Sequence, residues 1–278
     1  MGKQYYYLIA GLKDLIIDPD NKLVDIDEFI EFCGEQLDEK DFISLKKLFI
    51  FNDIKNAAKI GVDRSVYLTP SFYSREDFTE HQKDTDRLLP FLAEYFYHRN
   101  NDEQENPELN EVDELVHLFY DHLEDEEDRF VKSYFEFELN LRNISNAISM
   151  RVKGNFDKNR LINRGDYIES MVRSNTLDMG LTDEFPYITK LIEAYHSNDM
   201  IKIEKTIDEI RWDFLDSSVG LDHFGAVVVF GYMIKLVSVD RWLNITTDKG
   251  KSVLDGLISK IRASVKFSED FITVGGKK

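Results

Sequence analysis

Two short stretches of this sequence have the residue types and spacing for metal chemistry. They are Glu-Leu-Val-His, with Glu114 and His117, and Glu-Ala-Tyr-His, with Glu193 and His196. A carboxylate and an imidazole three residues apart share one face of a helix. Two such pairs, with one glutamate from each of two further helices, make the ligand set of a di-iron carboxylate bundle. Glu136 and Glu138 are the glutamates that could complete it. The same residues also read as solvated groups. Glu114 borders an acidic stretch, His196 opens the polar run His-Ser-Asn-Asp, and a chain with 53 acidic residues produces this spacing by chance. We therefore expect no metal and no other cofactor. A helical metal-dependent enzyme and a helical interaction module with an unrelated partner stand as alternatives.

Other chemistries fail on spacing. Aligning Asp18 and Asp20 with a calcium loop puts Lys22 at the fifth position, Leu23 where glycine is needed and Phe29 where a glutamate must close the site. There is no Walker lysine motif, no dinucleotide-binding glycine run and no G-x-S-x-G elbow. The six histidines are scattered and build no nucleophile–base pair. Cys33 is the single cysteine, so no intramolecular disulfide can form, and its setting Glu-Phe-Ile-Glu-Phe-Cys-Gly suits a small apolar filler. We expect a non-catalytic chain in a reducing compartment.

Charge narrows the partners. A formal net charge of −18 repels phosphate backbones, so no nucleic-acid partner is expected. The most apolar run, Phe-Gly-Ala-Val-Val-Val-Phe-Gly-Tyr-Met-Ile-Lys-Leu-Val-Ser-Val, is interrupted by Lys235 and falls short of the ~18 uncharged apolar residues that span a bilayer. The start has neither the pattern of a cleaved leader nor, with Tyr6 in place, that of a myristoylation site. The expected location is cytoplasmic, with any membrane reached through a partner.

The elements that would position these residues read almost wholly as helices. Five prolines and fourteen glycines are few for 278 residues, which favours long helices over turn-rich β structure. Residues 25–60 place apolar side chains three and four apart. Pro70 breaks the pattern, and Ser74 is a candidate cap for the helix through Leu-Leu-Pro-Phe-Leu-Ala-Glu-Tyr-Phe. Residues 100–114, polar and acidic with Pro107, read as a linker or loop between a helical module at 1–99 and helical modules at 115–278. The acid-rich stretch 123–130 reads as a helix start, its carboxylates near the positive end of the dipole. Tyr134, Phe137, Leu141, Ile144 and Ile148 then form an apolar stripe that Gly154 should end. Ile203, Ile207, Ile210 and Phe214 form a second stripe. The valine-rich stretch 226–245 is assigned to helix by the spacing of Phe230, Ile234 and Val237, and a last helix is expected at 246–263, with Leu254, Leu257, Ile258 and Ile261.

Three segments also carry a family resemblance. Tyr-Phe-Glu-Phe-Glu-Leu-Asn-Leu-Arg-Asn-Ile, with Tyr134, Glu138, Asn140, Leu141, Arg142 and Ile144, resembles a helix of the C subunit (named d in eukaryotes) of the V-type and A-type rotary ATPases. The stretch 224–245 is similar to a second helix of that family through Phe224, Tyr232, Lys235, Arg241 and Leu243, although Val239 and Asp240 stand where the family shows a glutamate. The opening Tyr5-Tyr6-x-Leu8-x-x-Gly11-Leu12 is similar to an uncharacterised bacterial family, a domain of unknown function associated with V-type ATPase genes. The resemblance implies an all-α, funnel-like assembly of helical modules that catalyses nothing. It implies an adapter between the central-stalk subunits and the membrane rotor ring, cytoplasmic and peripheral to the inner membrane, in a complex that moves ions or protons. Arg142 and the asparagines of the first helix would then bind neighbouring helices within the adapter.

Overall fold

Aspartate side chains begin four of the described α-helices and an asparagine a fifth. The Asp25 carboxylate accepts from the N–H groups of Asp27 and Glu28 at the start of α2 (Ile26–Gln36). Asp38 does the same for Asp41 in α3 (Glu39–Lys47), and Asn110 for Asp113 in α7 (Glu111–His122). Asp128 opens α8 (Arg129–Val152) and Asp199 opens α11 (Met200–Val219), each accepting from two backbone N–H groups. Such caps satisfy donors that a helix leaves orphaned, and the negative charge meets the positive end of the dipole. Part of the chain's acidity thus goes into helix starts.

The computed structural model describes residues 3–15, 24–59, 67–81, 84–101 and 110–244, and among these there are helices and no strand. The remaining helices are α1 (Tyr6–Ala10), α4 (Ile50–Lys59), α5 (Arg75–His81), α6 (Pro90–Asn100), α9 (Ile168–Arg173), α10 (Ile188–His196) and α12, residues 226–244. The all-α expectation holds. The helix expected at 246–263 and the central residues of the 100–114 segment lie outside the described residues, as does part of the rejected calcium-loop stretch.

Two expected boundaries move. Ser74 caps the short α5, its hydroxyl donating to the Asp77 carboxylate and accepting from the Asp77 N–H, whereas α6 starts separately with Pro90 in its first turn. Residues 110–114 belong to α7 rather than to a linker, because Asn110 is a good N-cap and Leu115, Val116 and Leu118 give the helix an apolar face. Gly154 ends α8 as expected, with φ +68°. Its N–H reaches the carbonyl of Arg151, and that of Asn155 reaches Met150, satisfying two orphaned carbonyls.

Among the described residues two apolar cores result. The larger gathers side chains from α1 to α7, from α8 as far as Leu139, and from α12, so it draws on residues from both sides of the 100–114 segment. The smaller starts on α8 at Leu141 and includes Met171, Leu191 and Ile210. One 24-residue helix therefore passes from one core into the other, and the crossing falls between Leu139 and Leu141.

Candidate functional site

A polar network lies where α8 changes cores. Glu138 on α8 accepts from Arg211 on α11 through both oxygens, Nε to Oε1 at 2.5 Å and Nη2 to Oε2 at 3.0 Å. Arg211 Nη1 also donates to Asp208 Oδ1 at 2.8 Å, one turn earlier on α11. The second oxygen of Asp208 accepts from α12, from Arg241 Nη2 at 2.5 Å and Trp242 Nε1 at 2.7 Å. Two carboxylates and two guanidiniums thus tie three helices together. The planar fork of Arg211 matches the carboxylate of Glu138 in a way a lysine could not.

Three of its four charged groups are largely withdrawn from water, with side-chain exposures of 14% for Glu138, 20% for Arg211 and 8% for Asp208, whereas Arg241 at the edge is 44% exposed. Burial alone would lower the Arg211 pKa, but the carboxylate of Glu138, with Tyr134 and Asp208, holds it above the ordinary range. Tyr134, one turn before Glu138, is fully enclosed, and burial and the adjacent carboxylate push its phenol up. Nearby, Phe137 stacks on Phe214 of α11, with ring centroids 4.1 Å apart and planes at 11°. Farther along α11, Lys235 of α12 pairs with Asp216 and lies over the Trp212 ring. Every charged group of this joint is engaged by another, so what it can do is hold three helices in register.

A second feature faces solvent. α3, α6, α7 and the start of α8 enclose a groove of about 590 Å3 with an apolar floor of Ile50, Phe91, Phe119, Val131 and Phe135. Its rim is acidic, with Glu39, Asp125, Glu126, Glu127 and Asp128 against Lys40 and Lys47. Lys47 is taken up by Glu126 at 2.7 Å, and Ser44 donates to Asp128 at 2.7 Å.

The residues singled out in the sequence are distributed unevenly over these features. Tyr134, Glu138 and Arg241 belong to the joint, and Lys235 flanks it. Leu141 begins the smaller core, Asn140 is half-buried beside it, and Tyr232 meets Phe29 with ring centroids 5.2 Å apart. Arg142 does not have the interior role expected of it. It reaches Asp113 at 3.6 Å with about two-fifths of both side chains in water, because the end of its long side chain lies at the open seam between α7 and α8. The interior polar contact of this stretch is Asn143, whose amide pairs with both backbone groups of Ile162 at 2.9 and 3.0 Å.

Glu114 and His117 lie on α7, Glu193 and His196 on α10. Glu193, His196 and Glu136 are exposed, whereas Glu114 is buried, contrary to its reading as a solvated group. Burial and the nearby Arg164 lower the pKa of His117. Among the described residues no group of three or more His, Cys, Asp or Glu side chains could hold a metal ion, nor is any helix long and apolar enough to cross a membrane. Sequence reasoning missed Asp208 and Arg211, the centre of the joint. Their only signal is a three-residue spacing within Asp-Glu-Ile-Arg-Trp, on a helix whose dominant pattern is its apolar stripe.

Comparison with known proteins places nearly the whole length in one family. A family model described as "Protein of unknown function (DUF2764)" matches residues 1–265. No curated protein and no solved structure matches the chain.

Proposed function

The chain belongs to the DUF2764 family of proteins of unknown function, and from that premise we propose that it is a non-catalytic adapter subunit of a V-type rotary ATPase. In this reading it links the central stalk to the membrane rotor ring and meets the membrane only through those partners. One observation carries the proposal. The two segments that resemble the C subunit of the rotary ATPases, 134–144 and 224–245, are about a hundred positions apart, yet Glu138 of one and Arg241 of the other meet in a single network through Arg211 and Asp208.

An adapter that transmits torque needs stiffness, not a reactive group. A bidentate ion pair shielded from water resists sliding of one helix along another better than apolar contact, because displacement strands a charge. The joint also sits where α8 passes between the two cores, the place at which relative movement of the cores would bend that helix.

Deleting the chain from the native host tests the role. The reading predicts that ATP hydrolysis by the catalytic head persists while ATP-driven ion transport into membrane vesicles collapses. Undiminished transport would refute it.

A further inference from the structure

Exposed apolar side chains gather at one place on the chain. Among the described residues nine large apolar side chains are exposed, and four of them lie on α1 and on the turn between α11 and α12. They are Leu221 at 99%, Tyr7 at 77%, Tyr6 at 59% and Phe224 at 40%. The other five are spread over α3, α6, α9 and the start of α11. Direct contacts join α1 to the turn. The ring centroids of Tyr6 and Phe224 are 4.6 Å apart, the Tyr5 N–H donates to the Phe224 carbonyl at 2.8 Å, and Gln4 Nε2 donates to Asp222 Oδ1 at 2.9 Å.

This surface is the braced tip of a hairpin. Gly220, with φ +54°, turns the chain out of α11. The bond from Arg241 to Asp208 locks α12 to α11 about 20 Å along the helix from the turn, and Lys235 pairs with Asp216 nearer to it. α1 is fixed in turn by the buried Leu8 and by the Tyr5 hydroxyl, which donates to Asp41. Leu221 therefore stands, with almost no protein beside it, at the convex end of a stiff element.

Size and charge select what the tip fits. Four side chains with these exposures present on the order of 500 Å2 of apolar surface. Two convex tips pressed together bury less than the ~1,600 Å2 of a standard interface, whereas a cleft that wraps the tip covers all of it. The charged groups within residues 3–15 and 220–225 are Lys3, Lys13, Asp14 and Asp222, and Gln4 takes up Asp222. Lys3 and Lys13 are exposed and form no ion pair among the described residues. In a chain of net charge −18 this face thus offers two lysines against one free carboxylate, so an acidic partner is not repelled here.

We propose that the tip formed by Tyr6, Tyr7, Leu221 and Phe224 docks into another protein, whose matching surface is an apolar cleft bordered by carboxylates. The cleft receives Leu221 and Phe224, the two tyrosines keep their hydroxyls at its wet edge, and Lys3 and Lys13 meet the carboxylates. This goes beyond the adapter reading and does not depend on it.

Photo-crosslinking of the tagged full chain in its native host tests this. A benzophenone-bearing phenylalanine analogue replaces Leu221, and in a control chain it replaces Tyr97, which is exposed on α6. Cells are irradiated and the crosslinked residues are mapped by mass spectrometry. The probe at position 221 should join one site on one other protein, apolar residues flanked by aspartate or glutamate, and the probe at position 97 should not. With the probe moved to position 7, Leu221→Asp should cut the yield at least about tenfold. Lys3→Glu/Lys13→Glu should cut it by a smaller factor. The urea midpoint should not move in either variant, because none of these side chains is buried. A site of this kind on a V-type ATPase subunit would support both readings, and the same kind of site on an unrelated protein would support the docking inference and remove the adapter reading. Crosslinking no stronger than the control, crosslinks to lipid, crosslinks between two copies of this chain, or a site without carboxylates would each overturn the proposal.

Discussion

Glu138 and Arg211, 73 residues apart in the chain, are joined by two parallel hydrogen bonds at the point where α8 leaves one apolar core for the other. Arg211 is the only side chain of the joint that contacts both carboxylates. Arg211→Leu strands Glu138 and half of Asp208, and the expected loss is about 3 kcal/mol of unfolding free energy, read by urea denaturation. Arg211→Lys should recover less than half of it, since an ammonium cannot engage both oxygens of Glu138. Replacing Glu138 and Arg211 together by leucine should cost less than the two single changes summed.

Arg142 is the contrasting case. Its partner Asp113 is 3.6 Å away and both side chains are about two-fifths exposed, so solvent screens the pair. Arg142→Ala should change stability by no more than about 0.5 kcal/mol in the same assay. A loss comparable to that of Arg211 would move the structural joint one turn along α8.

Asp53 makes stability depend on pH. It is wholly buried on α4, where its carboxylate accepts from the N–H groups of Phe72 and Tyr73 at 2.7 and 3.1 Å. Burial pushes its pKa up to about 7 from an ordinary 3.8, with those N–H groups and Lys46 pulling the other way. A carboxyl whose folded pKa is raised favours the folded state at low pH, and that contribution is lost as pH rises through the folded pKa. Between pH 4 and 7 the wild type should therefore lose stability relative to Asp53→Asn, whose side chain does not titrate. Parallel urea curves for the two proteins across that window check the sign.

Cys33 should be inert in the folded chain. It has no exposed surface, and burial pushes its thiol up to about 12. Alkylation at pH 8 should be negligible without denaturant and complete in urea, since the thiolate is the reactive species. Rapid labelling of the native protein would place Cys33 at the surface.

The legible parts of the fold are those that repeat. Tyr134, Leu141, Ile144 and Ile148 announce a helix because burial on one side imposes a period, and Gly154 announces its end because a left-handed residue is needed there. The joint has no such period. Arg211 on an amphipathic helix looks like any solvated arginine until α8 and α12 bring Glu138 and Arg241 to the same place. Glu114 misleads for the related reason that an acidic flank in the sequence says nothing about which face of α7 turns inward. The groove has no sequence signature because its floor is assembled from separated elements, although the acid run at its rim is visible as a helix start, with Asp128 as the cap.

The adapter role is tested most directly by isolating the tagged chain from gently solubilised membranes of its native host and quantifying what accompanies it by mass spectrometry. The account predicts the catalytic, stalk and rotor-ring subunits of a V-type ATPase, with one copy of this chain per complex. Recovery of the intact ATPase without the chain, and of the chain without any ATPase subunit, would contradict it.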